Sequence, residues 1–182
     1  MMTDQDHKHT GLRQTADKLQ DTLGGMHGRV KAKTLGSHSG EAFAKNAAIG
    51  DIYEITAARM ALRRSRSDSV REAARKMIDD HTTATHQLRS AYRMSETQGL
   101  PELPTEVDMR RRKMLEHLEA APDEKFDDTY LDQQVLAHKE TVDLMTGYAS
   151  SGDNWQLRSV AEGTAPVVQR HLAMMEKLHA TL

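Results

Sequence analysis

Apolar residues recur every three or four positions from about residue 41 to the end of the chain. This spacing places them on one face of a helix, and no segment shows the strict alternation of a strand. Glycine, proline and serine interrupt the pattern and divide it into segments. The pattern predicts four long helices, over residues 41–64, 68–98, 124–150 and 154–181, and a short helix over 106–119.

The lengths of the connections predict how the helices are arranged. Short turns near Ser65 and Gly152 join the long helices into two antiparallel hairpins. The connection from Gly99 to Pro122 holds the short helix and is long enough to cross the end of a bundle or to run along its side. We therefore predict an all-α fold: a ferritin-like four-helix bundle of two antiparallel hairpins with a crossover containing a short helix.

The first 40 residues have a different composition. They contain six of the eleven glycines and four of the ten histidines. Leu12, Leu19 and Leu23 can line one side of a short helix that ends at Gly24-Gly25. We expect residues 1–40 to form a flexible N-terminal segment and residues 41–182 to form the bundle domain.

One ionisable residue interrupts the apolar stripe of each long helix near its middle: Glu54, His81, His138 and His171. At about 1.5 Å per residue, the four positions lie roughly 18–28 Å from the same end of the bundle. The four side chains could therefore meet in one layer.

Burying these four side chains without partners would be costly. Two arrangements remove that cost. The four residues could bind a single transition-metal ion, with zinc, manganese, iron and copper as candidates. Alternatively, they could form a metal-free network in which Glu54 accepts hydrogen bonds from the histidines.

Four neighbouring residues are candidates to support this layer from outside. Asp80 precedes His81, and Gln134 lies one turn before His138, where it could bond to the imidazole ring. Asp127 and Tyr130 come at the start of the third long helix. There Asp127 suits the positive end of the helix dipole, and Tyr130 could send its hydroxyl to a neighbouring helix.

Four segments in order resemble a bacterial ferritin-like family, catalogued as domain of unknown function 4142. They are AFAKNAAIGDIYEI at 42–55, VREAARKMIDDH at 70–81, FDDTYLDQQVLAH at 126–138 and APVVQRHL at 165–172. The resemblance implies the ferritin-like fold. It also implies that the motif positions of the family fall on Glu54, His81, His138 and His171.

Composition and charge exclude several classes of function. The absence of cysteine excludes disulfides and thiolate metal sites, and a net charge of -2 argues against general binding to nucleic acid. The N-terminal residues lack the apolar run of a signal peptide, and no stretch is long and apolar enough for a membrane span. We therefore expect a cytoplasmic protein.

Three classes of function remain open. The first is a metal-binding protein with a role in stress or metal handling. The second is a metal-free bundle that acts through interactions, such as a homodimer formed through exposed faces or the short helix. The third is a redox enzyme with an open position at its metal.

A bridged di-iron centre needs more inward carboxylates than Glu54 alone supplies, so a single ion fits better.

Overall fold

The computed structural model describes residues 13, 15–25 and 38–182. These residues form six α-helices, two short 3-10 helices and no strand, which confirms the all-helical prediction. Helix α1 is described over residues 15–25. The other α-helices are α2 (Gly40–Arg64), α3 (Asp68–Ala91), α4 (Met109–Ala120), α5 (Phe126–Ser151) and α6 (Trp155–His179), and the 3-10 helices span Ser95–Thr97 and Asp123–Lys125. Leu12 and most of the segment predicted to be flexible lie outside the described residues.

Polar side chains cap the N-termini of four helices. Each accepts a hydrogen bond from the backbone N–H three residues later, which satisfies a group that the helix itself leaves unpaired. The four capping residues are Ser39 for α2, Ser67 for α3, Asp108 for α4 and Asn154 for α6.

Two predicted helix boundaries were wrong. Helix α3 ends at Ala91 rather than near Gln98, and the Thr97 hydroxyl donates to the Ala91 carbonyl at 3.0 Å. The Thr97 side chain thus forms a hydrogen bond with the last backbone carbonyl of α3, where the chain turns away from the helix. The short helix begins at Met109 rather than 106, because Asp108 accepts from the Arg111 N–H at 2.8 Å and acts as the cap.

Helix α2 packs against α3 and α5, and α6 packs against the same two helices. Arg64 at the end of α2 lies 4.6 Å from the ring of Phe126, the first residue of α5. At the opposite end, the Asn154 side chain before α6 donates to the Glu96 carbonyl after α3 at 2.7 Å. Each contacting pair of long helices is therefore antiparallel, and the connection from α3 to α5 runs the length of the helices.

Helix α4, within this connection, is held by a buried ion pair. The carboxylate of Glu140 on α5 accepts from Arg110 at 2.9 and 2.6 Å and from Arg111 at 2.8 Å. The Arg111 guanidinium also lies 4.9 Å from the ring centre of Tyr53 on α2. One acidic side chain thus joins two basic side chains of α4 to the long helices.

The apolar interior is divided into two clusters. One contains Met77, Phe126 and Met175, and the other contains Leu88 and Leu157. On α3, α5 and α6, a single buried histidine lies in the sequence interval between the residues of the two clusters. The fold therefore places a polar layer between two apolar regions. No helix in the described part of the chain has the length and apolar character to cross a membrane.

Candidate metal centre

Three histidines from three helices come together in the polar layer. His81 on α3, His138 on α5 and His171 on α6 are 4%, 1% and 1% exposed. One ring nitrogen from each lies within 4.8 Å of one from each of the others. Their ring centres are 5.5 to 5.8 Å apart. The structure therefore brings together three of the four residues that the sequence predicts to meet in one layer.

Each histidine donates one ring N–H to a fixed acceptor. His81 Nδ1 donates to Asp51 Oδ1 at 2.9 Å, and His171 Nε2 donates to Asp80 Oδ2 at 2.7 Å. His138 Nδ1 donates to the backbone carbonyl of Gln134 at 2.8 Å. Because a carbonyl or carboxylate oxygen only accepts, these bonds fix which nitrogen of each neutral ring carries the proton.

The other nitrogen of each ring has no partner in the described part of the chain. These atoms are His81 Nε2, His138 Nε2 and His171 Nδ1, and all three are buried. In a neutral imidazole, the nitrogen without hydrogen is an acceptor. Three such acceptors cannot bond to one another, whereas a metal ion would satisfy all three. Bonds from the opposite ring nitrogens to carboxylates and carbonyls are the usual support of metal-binding histidines.

The electrostatic surroundings affect the three rings differently. Burial lowers the pKa of His138, and it lowers the pKa of His171 to about 4 despite the opposing bond to Asp80. Burial also acts to lower the pKa of His81, but the hydrogen bond and charge of Asp51 raise it above its ordinary value. Two of the rings are therefore neutral at pH 7, as metal ligation requires.

The two supporting carboxylates are themselves held in place. Asp51 Oδ2 accepts from the Thr85 hydroxyl at 3.1 Å, and Asp80 Oδ2 lies 2.9 Å from Lys76 Nζ. Burial acts to raise the pKa of Asp80, but its bonds to Lys76 and His171 lower it below the ordinary value. Asp80 therefore accepts from His171 as a carboxylate at neutral pH.

Glu54 lies beside the group of three histidines. Its Oε1 is 3.7 Å from His138 Nδ1, and its Oε2 accepts from Gln134 Nε2 at 2.7 Å. Gln134 thus contacts both residues, but the His138 ring bonds to its backbone carbonyl rather than to its side chain. The structure brings Glu54 to the outer side of His138, and its role as a metal ligand stays a prediction.

The remaining two predicted supporting residues contact none of the three rings by hydrogen bonds. Tyr130 is fully buried among apolar residues, and its hydroxyl has no hydrogen-bond partner in the described ranges. The expected bond from Tyr130 to a neighbouring helix is therefore not formed. Asp127 lies in the first turn of α5, as expected for a residue that interacts with the helix dipole.

Residues 25–178 match the model of a family described as domain of unknown function (DUF4142). The chain belongs to the DUF4142 family. The match includes all three histidines and helices α2 to α5, but it begins only at the last described residue of α1. Neither the curated proteins nor the solved structures contain a match to the chain.

Asp51 is the residue of this DUF4142 domain that sequence reasoning missed. It is 8% exposed and lies three residues before Glu54, so both residues fall on neighbouring positions of one face of α2. The criterion of one polar interruption in each apolar stripe selects only Glu54 on α2. A search for polar pairs three residues apart would have found Asp51 as well.

A much larger cavity lies elsewhere. It measures about 650 Å³ and lies between α1, the end of α4 and α5. Polar side chains along it pair with one another: Lys18 Nζ lies 2.6 Å from Asp132 Oδ2, and His117 Nδ1 lies 2.9 Å from Asp21 Oδ1. None of the three clustered histidines lines this cavity. The candidate site is therefore the group of three histidines, where buried nitrogens lack partners.

Proposed function

We propose that the protein binds a single transition-metal ion through His81, His138 and His171. The observation that supports this proposal is the presence of three buried ring nitrogens without partners on side chains whose other nitrogens are all bonded. A buried polar atom without a partner costs roughly 1–3 kcal/mol. An ion among the three rings would bind each of these three nitrogens and so remove the cost at all of them.

A metal-free network accounts for less of this arrangement. The raised pKa of His81 favours a proton on that ring, and a protonated ring could donate to one of the other two. One such bond satisfies two of the three nitrogens and leaves the third without a partner. Protonation of a second ring is opposed by burial, which lowers the pKa of both His138 and His171. The metal-free interpretation is therefore the weaker one.

The ligand chemistry narrows the choice of ion. A set of three imidazoles suits zinc, copper and iron, whereas manganese prefers oxygen donors. Glu54 would have one of two roles. It would bind the ion as a fourth ligand, or it would support His138 from the outer side together with Gln134. We also propose that the antiparallel long helices and their long connection form the ferritin-like arrangement. For the protein, we propose a role in metal handling or in the response to stress.

The proposal is tested by titrating untagged, chelator-treated protein with Zn²⁺ in a calorimeter. We expect one equivalent to bind. Replacing any one of the three histidines with alanine should weaken binding by more than about 100-fold, because loss of a ligand exceeds the roughly 10- to 100-fold cost of losing a supporting residue. The control is His86→Ala, on an exposed part of α3. Equal binding by all variants would contradict the proposal.

A further inference from the structure

A small cavity adjoins two of the three histidines. It measures about 20 Å³, and the side chains of His81 and His171 form part of its wall. A cavity needs roughly 10–15 Å³ to hold one water molecule. The space beside these rings is therefore sufficient for one very small molecule.

The cavity is lined by apolar and polar residues in about equal number. Ala47, Met145 and Val168 are among the apolar residues that line it, and Thr164 is among the polar ones. Two carboxylates also line the cavity: Asp51 accepts hydrogen bonds from His81 and Thr85, and Asp80 accepts one from His171. Two of the lining residues, His81 and His171, each carry a buried ring nitrogen, Nε2 and Nδ1 respectively, that lacks a partner within the described ranges.

Gly50 lines the same cavity from the middle of α2. It is only half-buried, and a Cβ atom built at this position would meet nothing within 4 Å. Packing therefore does not require glycine here, although glycine inside a helix costs roughly 0.5–1 kcal/mol relative to alanine. The position where a side chain would lie is therefore open, on a residue that forms part of the cavity wall.

We propose that this cavity is an open coordination position, through which a metal ion at the histidines takes one small ligand from solution. This inference rests on the proposed metal site. The size of the cavity restricts the ligand to water, hydroxide or a narrow anion that reaches the ion end-on through the space beside Gly50. Three protein ligands and one exchangeable position are the arrangement of catalytic rather than structural zinc sites.

The experiment uses full-length protein loaded with Co²⁺, whose visible absorption reports on its ligands, and sodium azide as the probe. Cobalt content is measured first. We expect one equivalent of Co²⁺ and a saturable change of the spectrum with azide. Gly50→Leu should retain the cobalt but weaken the azide response at least tenfold, because its side chain fills the open space. The matched control is Gly163→Leu. Gly163 is also a mid-helix glycine with open space around its Cβ position, but it does not line the cavity.

Each result decides between the two proposals. If the wild type binds cobalt but its spectrum ignores azide, the coordination position is closed and this inference is wrong, while the metal site stands. If Gly50→Leu responds like the wild type, the cavity is not the route to the ion and the inference is again wrong. If the wild type binds no cobalt, the proposed metal site itself fails.

Discussion

The carboxylate of Asp51 accepts a hydrogen bond from His81 Nδ1 at 2.9 Å, and this bond joins α2 to α3 within the polar layer. Because Nδ1 carries the hydrogen, Nε2 is left as the acceptor that the protein itself does not satisfy. In His138 and His171, too, one ring nitrogen donates to an acceptor and the other has no partner in the described part of the chain. The acceptor differs from ring to ring. In its neutral form, each of the three imidazoles therefore keeps one nitrogen available to a metal ion.

Removing the charge of Asp51 should weaken metal binding. Asp51→Asn keeps the shape of the side chain but loses the negative charge that raises the pKa of His81. We expect Zn²⁺ affinity to fall roughly 10- to 100-fold, as is usual for a supporting residue. Proton NMR titration of the metal-free variant should show a lower His81 pKa.

The control for this variant is Asp79→Asn, which removes an exposed carboxylate from the same region of α3 as His81. It should bind Zn²⁺ as the wild type does. An unchanged affinity in Asp51→Asn would show that the hydrogen bond to His81 does not support metal binding.

Glu54→Gln separates the two roles that Glu54 could have. From the contacts at 2.7 Å with Gln134 and 3.7 Å with His138, we expect it to act through those residues. The variant should therefore still bind one equivalent of Zn²⁺, with an affinity reduced roughly 10- to 100-fold. A loss beyond that range, equal to the loss in His138→Ala, would instead identify Glu54 as a ligand.

The four polar interruptions could be predicted from the sequence because each breaks an apolar stripe at helical spacing, which is a local property. The partners of the rings could not be predicted in the same way. Asp51 and His81 lie on different helices, and their contact depends on how α2 and α3 are rotated against each other. The end of α3 could not be predicted from the hydrophobic pattern either, because the Thr97 hydroxyl binds the Ala91 carbonyl only after the chain has turned.

Metal-free protein should lose stability in acid through His171. Burial lowers the pKa of this ring to about 4 in the folded state; the bond to Asp80 opposes the shift, and His138 and His81 add to it. The unfolded ring has a pKa of about 6.5, so its contribution is fully present above that pH and is lost as the pH falls toward 4. The full loss amounts to about 3 kcal/mol.

This loss is measured as a difference between variants. Urea unfolding of the wild type and of His171→Gln at pH 7.5 and pH 4.5 should show a steeper fall for the wild type, by about 2–3 kcal/mol. His86→Gln, at an exposed position of α3, should follow the wild type. Parallel losses in the wild type and His171→Gln would rule out a buried neutral ring at this position.

The ion pair of Glu140 with Arg110 and Arg111 should contribute most of the free energy that holds α4 against the long helices. Glu140→Ala leaves Arg111, which is 5% exposed, without its buried partner. Breaking a buried pair in this way costs about 3–5 kcal/mol, and we expect that loss in the free energy of unfolding. The comparison is Glu176→Ala, which removes a half-exposed pair with Lys139 and should cost no more than about 1 kcal/mol. Equal effects of the two substitutions would contradict this assignment.

The most direct measurement is X-ray absorption at the metal edge of protein loaded with one equivalent of Zn²⁺. Its fine structure counts the imidazole rings around the ion and gives their distances. Binding by His81, His138 and His171 predicts three imidazole nitrogens at about 2.0–2.1 Å. A shell of oxygen atoms with one imidazole or none would place the ion elsewhere on the protein and contradict the proposed site.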